Sequence, residues 1–350
     1  MEGLVECVPN FSEGGDQSIL DAIALSIRSV PEVELLDVVA GRDTNRSVFT
    51  FVGSREGVKE GAFRAIEAAS RHIDMTQHSG VHPRLGATDV CPFIPLRGVT
   101  MGDCVEMARE LGQRVADELS IPVFLYGFAA SSLERSDLAT IRRGEYEKLE
   151  GKLRDPVWAP DFGKPDFNER SGATVIGARK LLIAYNVNLD SAQKTVAHDI
   201  ALRVREKGRL KHDSDGELIT VPGRLKECKA MGWVIDEYGK AQVSMNLTDY
   251  HVTPLHTAFE TVKDEARKRG IQVTGSELVG LVPLEAMLMS GRFYLDLQKK
   301  NRAVPETELV RVASDTLGLH ELSPFDPLKK IIDYRVRGMR PSNRIAEIAT

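Results

Sequence analysis

Between residues 74 and 89 the chain reads DMTQHSGVHPRLGATD, and five side chains there can move protons or hold charge: Asp74, His78, His82, Arg84 and Asp89. Gly80, Pro83 and Gly86 interrupt any helix, so the segment is a loop ahead of the strand-like run VCPFIPL. Imidazole titrates near neutral pH, so one such side chain can both take and give a proton. His beside Arg and Asp on a loop suits proton transfer next to an anion. Two plainer readings stand beside it. His78 and His82 are ordinary exposed loop histidines, or they join His72 and an Asp around a metal. The metal reading is weak, because Ser79-Gly80 and Pro83 keep the two from sharing a helical face and no HExxH pattern is present.

Two further groups of polar side chains lie in VPNFSEG with GRDTNRSVFTFVG and in WAPDFGKPDFNERSGATVIGARKLLIAYNVNL. The first offers Asn10, Asn45, Arg46 and Thr50 at strand ends or turns. Turn chemistry alone accounts for Asp43; for Asn10, after Pro9, turn and ligand readings are balanced. The second offers Lys164, Arg170, Arg179, Asn186 and Asn188 near Trp158, Phe162 and Phe167. Cations beside aromatics can seat a flat, carboxylated heteroaromatic ligand. GATVIGAR lacks GxGxxG spacing and does not stand between a strand and a helix, which disfavours a dinucleotide site. Ser244, Asn246, Asp249, His256, Ser276 and Glu277 form a weaker group, and His198, His212 and His320 receive no role.

Periodicity supplies the elements that would position these groups. LVECVPNFS, VELLDVVAG, RSVFTFVGS and IPVFLYGFA have strand character, and Ile19, Leu20, Ile23, Leu25 and Ile27 mark the first of three helices. To about residue 130 the order is β-α-β-β-α-β with an extra strand-like segment near 87–95, the split, ferredoxin-like arrangement. Residues 131–175 lose periodicity and read as a functional loop or linker. From KLLIAYNVNL onward the same order returns, with a hairpin turning at Tyr238-Gly239-Lys240 and a surface insertion at 208–223. The expected fold class is therefore α+β, two ferredoxin-like (βαββαβ) subdomains packed to form a ligand groove, with a polar tail at 337–350.

Composition narrows the partners. Lys and Arg number 46 against 51 Asp and Glu, so no basic excess is present to hold nucleic acid. At 42% hydrophobic residues and net charge −5, disorder of the bulk is excluded. No apolar run reaches membrane-spanning length, and MEGLVECVPNFSEG has no signal-peptide pattern. Cys7, Cys91, Cys104 and Cys228 show no CxxC pairing, which fits a reducing cytoplasm.

LVECVPNFSEG, LLDV, NRSVFTFVG, HPRLGATDVCPFIPLRGVTM, EYEKL, WAPDFG, GATVIGARK, AYNVNL, AMGW, AQVSMNLTD, HTAFE and GSELVGLVPL follow one another between about residues 2 and 336. Together they resemble the glutamate formiminotransferase family, the formiminotransferase part of formimidoyltetrahydrofolate cyclodeaminase. The resemblance implies an N-terminal subdomain over 1–181 and a C-terminal one over 182–336, a groove for tetrahydrofolate as co-substrate, no metal, and a homodimer. It implies the catalytic histidine in HPR, here His82. It also implies a folate-contacting segment at Gly163–Gly172, hence Gly163, Lys164, Arg170, Ser171 and Gly172, with Arg179 beyond it. Within that segment GKPDFNERSG is more charged than the family's pattern. Val39 stands where the family's animal members carry an acid, so no role of that acid transfers. The chain is expected to lack the cyclodeaminase half, a step left to a separate cyclodeaminase.

The implied reaction moves the formimino group of N-formimino-L-glutamate to N5 of tetrahydrofolate, in histidine degradation. His82 would serve as general base and acid, and Asp89 would orient it or pair with Arg84. Arg46 and Arg84 would hold the donor's carboxylates, with Asn10, Asn45, Asn186 and Asn188 as further substrate-binding residues. The enzymatic alternative is formyl transfer between 5-formyltetrahydrofolate and glutamate. The alternative of another class is a folate- or amino-acid-binding regulatory module.

Overall fold

Asp16, Ser54 and Thr100 each place a side-chain oxygen on a backbone N–H of the turn that follows. That satisfies a donor every helix start leaves free. They open α1 (Gln17–Arg28), α2 (Arg55–His72) and α3 (Met101–Leu119), and at α3 Thr100 and Asp103 cap each other reciprocally. The computed structural model describes residues 3–42, 44–80, 82–214, 216–235, 239–300 and 303–336. Asp43, the Tyr238 turn position and the tail 337–350 lie outside the described residues. The chain divides into two compact units, Met1–Lys180 and Leu181–Thr350.

The first unit holds one seven-stranded sheet: β1 (Leu4–Cys7), β2 (Asn10–Phe11), β3 (Val33–Gly41), β4 (Arg46–Gly53), β5 (Thr88–Arg97), β6 (Val123–Gly127) and β7 (Thr174–Ala178). β1 and β2 lie in one line between β4 and β5. Glu6 stands opposite Val52 and Ile94, and Asn10 opposite Val48 and Val90. β3 flanks β4, while β7 and β6 extend the other side in parallel. Strand alternation sends Val5, Cys7, Phe11, Phe49, Phe51 and Phe93 into a core shared with α1, α2 and α3. Each fully buried Phe contributes about 1.5–3 kcal/mol by leaving water. The same alternation turns Glu6, Asn10, Arg46, Thr50 and Val52 to the opposite face.

Two expectations change. The segment near 87–95 is no extra strand; as β5 it pairs with β1 and β2 inside the sheet, and α3, β6 and β7 are the additions. Pro92 and Pro95 weaken its strand signal, and residues 88–94 are all buried, so no polar alternation marks it. GATVIGAR, at the end of the 131–175 stretch read as loop or linker, is not loop either. Its Thr174–Ala178 is a fully buried strand of the first sheet. The stretch before it forms short helices, among them α4 (Leu138–Ile141) and α5 (Leu149–Leu153), which bury Ile141, Leu149 and Leu153 with Phe124, Tyr126 and Val175.

The second unit has a four-stranded antiparallel sheet from β8 (Ile183–Leu189), β11 (Cys228–Ile235), β12 (Lys240–Leu247) and β13 (Val273–Val279), ordered β11-β12-β8-β13. The helices α6 (Lys194–Val204), α7 (Leu255–Arg267), α8 (Leu284–Leu297) and α9 (Glu306–Thr316) supply much of its core. Residues 208–223 contain a separate two-stranded ladder, β9 (Arg209–His212) with β10 (Leu218–Val221), largely exposed. The mixed α+β class expected from periodicity stands.

One close approach ties the 82–89 loop to the 163–173 segment. Gly86 and Gly172 bridge backbone to backbone. Gly172 has φ +65°, and a Cβ there would stand 2.2 Å from the Leu85 carbonyl oxygen. Gly172→Ala is expected to lower unfolding stability by about 1–3 kcal/mol. Urea unfolding would read it, and a loss below about 0.5 kcal/mol would contradict the crossing.

Candidate active site

Three side chains from three separate segments meet in the first unit. Asn10 hangs from β2, Arg46 opens β4 and His82 lies in the loop before β5. Arg46 donates through Nε to Asn10 Oδ1 at 3.0 Å, and its Nη1 lies against the His82 ring. Asn10 is held in turn by donating to the Val8 carbonyl at 2.8 Å. His82 Nδ1 is 2.8 Å from the Pro83 carbonyl oxygen. Donation to that carbonyl assigns the proton to Nδ1 and leaves the lone pair on Nε2, where Arg46 Nη1 can donate to it.

Electrostatics reinforce that state. Burial, and then the charges of Arg46 and Arg142, hold the His82 imidazole down to about 3; Asp89 pulls the other way. Burial and Arg142 likewise pull Arg46 down to about 9. Asp89 is 1% exposed. Its Oδ1 accepts from the Leu85 N–H at 3.2 Å and from Arg142 Nε at 3.1 Å, while Oδ2 accepts from Arg142 Nη2. Two arginines and one carboxylate thus surround a neutral imidazole, a setting fit for acid–base chemistry on an anion.

Arg84 does not pair with Asp89. Its guanidinium donates to Glu145 at 3.1 Å and Glu147 at 2.9 Å, and its Nε to His78 Nδ1 at 3.2 Å. The EYEKL block supplies both carboxylates, so Arg84 binds that segment rather than standing free for a ligand. Asn45, at φ +44°, is also a fastener. It accepts from the Gly14 N–H, donates to the Ser79 carbonyl at 2.8 Å, and its own carbonyl lies 3.0 Å from His78 Nε2.

The segment from Gly163 to Gly172 is partly structural. Gly163 takes φ +87° and Lys164 is exposed. Arg170 is exposed, donates to the Arg71 carbonyl at 2.9 Å, and its own carbonyl accepts from the Met75 N–H. Ser171 is buried, its N–H bonded to Asn168 Oδ1 and its carbonyl to the Ala87 N–H. Arg179 follows β7, and its charge reaches Glu6 and Tyr126. Asn186 and Asn188 belong to β8 in the second unit. Asn188 is fully buried, accepting from Gln242 at 2.8 Å and donating to Glu321 at 2.6 Å. Asn186 donates to Glu277 at 3.4 Å. Among the described residues, no group of three His, Cys, Asp or Glu side chains could hold a metal ion, and no helix is long and apolar enough to cross a membrane.

Two charged side chains of the first unit escaped sequence reading. Arg142 follows α4, in a stretch without periodicity. Glu6 lies in LVEC, where one acid in an apolar strand was the available signal. Burial pushes its carboxyl up to about 7, with Arg179 opposing.

The first of the two α+β units carries an imidazole held uncharged among arginines. Comparison with known families gives the kind of protein. The model described as the formiminotransferase domain, N-terminal subdomain, matches residues 4–179, and that described as the formiminotransferase domain matches residues 184–337. The chain belongs to the formiminotransferase family. It is 50% identical over 347 residues to the formimidoyltransferase-cyclodeaminase of Mus musculus, covering 99% of this chain and 62% of the relative. It is 51% identical over 338 residues to that of Dictyostelium discoideum, covering 96% and 61%. Against the glutamate formimidoyltransferase of Streptococcus pyogenes serotype M1 it is 42% identical over 298 residues, covering 85% of this chain and 95% of the relative. The chain thus spans about three fifths of the length of the bifunctional relatives.

Asp89→Asn is expected to cost about 3–5 kcal/mol in unfolding free energy, because it leaves the Arg142 cation without its buried partner. A loss under 1 kcal/mol by denaturant titration would reject this pairing. His82 carries a pH signature of the opposite kind to most histidines. Unfolded, it binds a proton near pH 6.5; folded, only near 3. The unfolded chain therefore holds the extra proton between those values, and stability from this group is full above pH 6.5 and lost as pH falls. Glu6 acts in the reverse sense between 4.5 and about 7, so the two partly cancel in the wild type. Comparison with His82→Asn removes the shared Glu6 effect. From pH 7 to 5 the wild type should lose about 1–2 kcal/mol more than that variant, allowing for partial solvent exposure. Parallel losses would refute the depressed imidazole.

Proposed function

We propose that this protein is a glutamate formiminotransferase, moving the formimino group of N-formimino-L-glutamate to N5 of tetrahydrofolate. The observation that carries the reading is His82, its imidazole held neutral against Arg46, in a chain of the formiminotransferase family. The names and full-length match of the Streptococcus relative support the same activity.

The donor is an amidine on a dicarboxylate. One donor carboxylate seats on Arg46, where Arg46 and Arg142 leave positive charge that Asp89 alone does not neutralise. That anion compensates the cation beside His82 and raises the imidazole's basicity when the donor is bound. N5 of tetrahydrofolate attacks the amidine carbon, and His82 Nε2 takes the N5 proton. The tetrahedral intermediate then collapses, His82 returns that proton to the departing α-amino nitrogen, and glutamate leaves. The proton shuttle contributes typically about 10²–10⁴-fold, and holding both substrates together supplies the larger share. Asp89 acts through Arg142 and the Leu85 N–H as a positioning residue.

Exposed Lys164 and Arg170 suit the carboxylate tail of a folate. We assign the two units to N- and C-terminal subdomains at 1–181 and 182–336, each ferredoxin-like. The strand order β3-β4-β1-β5 in the first and β11-β12-β8-β13 in the second supports that. A cytoplasmic homodimer working beside a separate cyclodeaminase completes the proposal.

Purified protein given both substrates should form 5-formiminotetrahydrofolate, followed by absorbance. His82→Ala should keep the wild-type circular dichroism and lose at least about 100-fold in kcat. A variant within threefold of wild type removes His82 from proton transfer.

A further inference from the structure

The sheet face that carries Asn10 and Arg46 also carries one group that nothing above employs. Glu6 is 5% exposed. Its carboxylate makes no hydrogen bond to any described residue, and Arg179 is the charge that acts on it. Val52 and Ile94, directly opposite on β4 and β5, are apolar and buried. Asp37, opposite Thr50, shares the face from two strands away, and its Oδ2 is buried without a hydrogen-bond partner. A desolvated carboxylate without donors costs stability, and such groups concentrate where a ligand supplies the missing partners.

The register fixes what that ligand end must be. Residues 6 and 10 lie on β1 and β2, which keep one register on β4 across residues 8 and 9. Four residues of extended chain place Glu6 about 14 Å from Asn10, at 3.4 Å per residue. Asn10 holds Arg46, and Arg46 touches His82. This separation suits the breadth of a bicyclic ring with a hydrogen bond at each end. It is too long for the amidine of the donor, which must sit where His82 acts. An ionised carboxylate accepts two parallel N–H bonds. The 2-amino-4-oxopyrimidine edge of a reduced pterin presents such a pair, from N3–H and the exocyclic amine, on the ring remote from N5's hydrogen.

We infer that Glu6 binds the aminopyrimidine edge of the tetrahydrofolate pterin and so sets the ring's orientation toward His82. The inference rests on the formiminotransferase reading. In the empty protein Glu6 is close to half-protonated at neutral pH, and two N–H donors would hold it ionised.

Binding of tetrahydrofolate, and of its 2-desamino-2-methyl analogue, to wild type and to Glu6→Gln tests it. The wild type should bind tetrahydrofolate and lose about 10–100-fold on the analogue. Glu6→Gln should lose a similar factor for tetrahydrofolate and little more for the analogue, with the KM for formiminoglutamate within twofold. The substitution keeps size and removes an unpaired buried charge, so the melting temperature should not fall. The wild type alone gives a second measurement: calorimetry at pH 6 in buffers of different ionisation heat should show close to one proton released on binding. Equal analogue losses in both proteins, or no proton release, overturn the assignment. So does a Glu6→Gln defect confined to formiminoglutamate, which would put the amidine there. A wild type that does not bind tetrahydrofolate overturns the functional reading itself, and this inference with it.

Discussion

The buried pairing of Asp89 with Arg142 is the constraint on which the site depends. Asp89 begins β5, and Arg142 closes a short helix more than fifty residues later. Their charge-assisted bonds pin a segment without regular structure to the edge of a regular one. The same carboxylate takes the Leu85 N–H, so the loop carrying His82 is anchored at its far end. Arg84 fastens the loop a second time, through Glu145 and Glu147. Two ion-pair anchors from one linker let a glycine- and proline-rich loop hold an imidazole in one place.

Charge accounting around His82 follows from that anchorage. Asp89 satisfies Arg142, so it is not free to raise the imidazole's basicity by direct contact. Among the described residues, Arg46 hydrogen-bonds only the neutral oxygen of Asn10 and the ring itself. The site is therefore short of one negative charge. Under the proposed function an anionic donor completes it, and the base becomes stronger as that donor arrives. That reading couples binding and chemical competence through a single guanidinium.

Local chemistry made part of this legible in the amino-acid order. Apolar stripes and turn residues marked α1, α2, α3 and most strands, because each is written in neighbouring positions. Asn10, Arg46 and His82 stood out by type and setting. What escaped was non-local. Nothing near Arg84 announces Glu145 and Glu147, and nothing near Asp89 announces Arg142. β5 carries two prolines and is buried on both faces, so it read as an appendage rather than the strand pairing with β1. Asn186 and Asn188 looked like ligand-binding amides, yet the Asn188 side chain is consumed by Gln242 and Glu321.

The common register of β1 and β2 on β4 makes this line of chain a ruler with coarse graduations. Inserting one residue between Cys7 and Asn10 would carry Asn10 into the core and Phe11 out of it. The spacing between the Glu6 end and the Arg46 end can therefore change only in steps of two residues, about 7 Å each. On the inferred pterin contact, a ring system slightly larger or smaller has no intermediate setting available. Selectivity for ligand breadth would then be quantised by the pleat of the sheet, and drift by small increments closed to it.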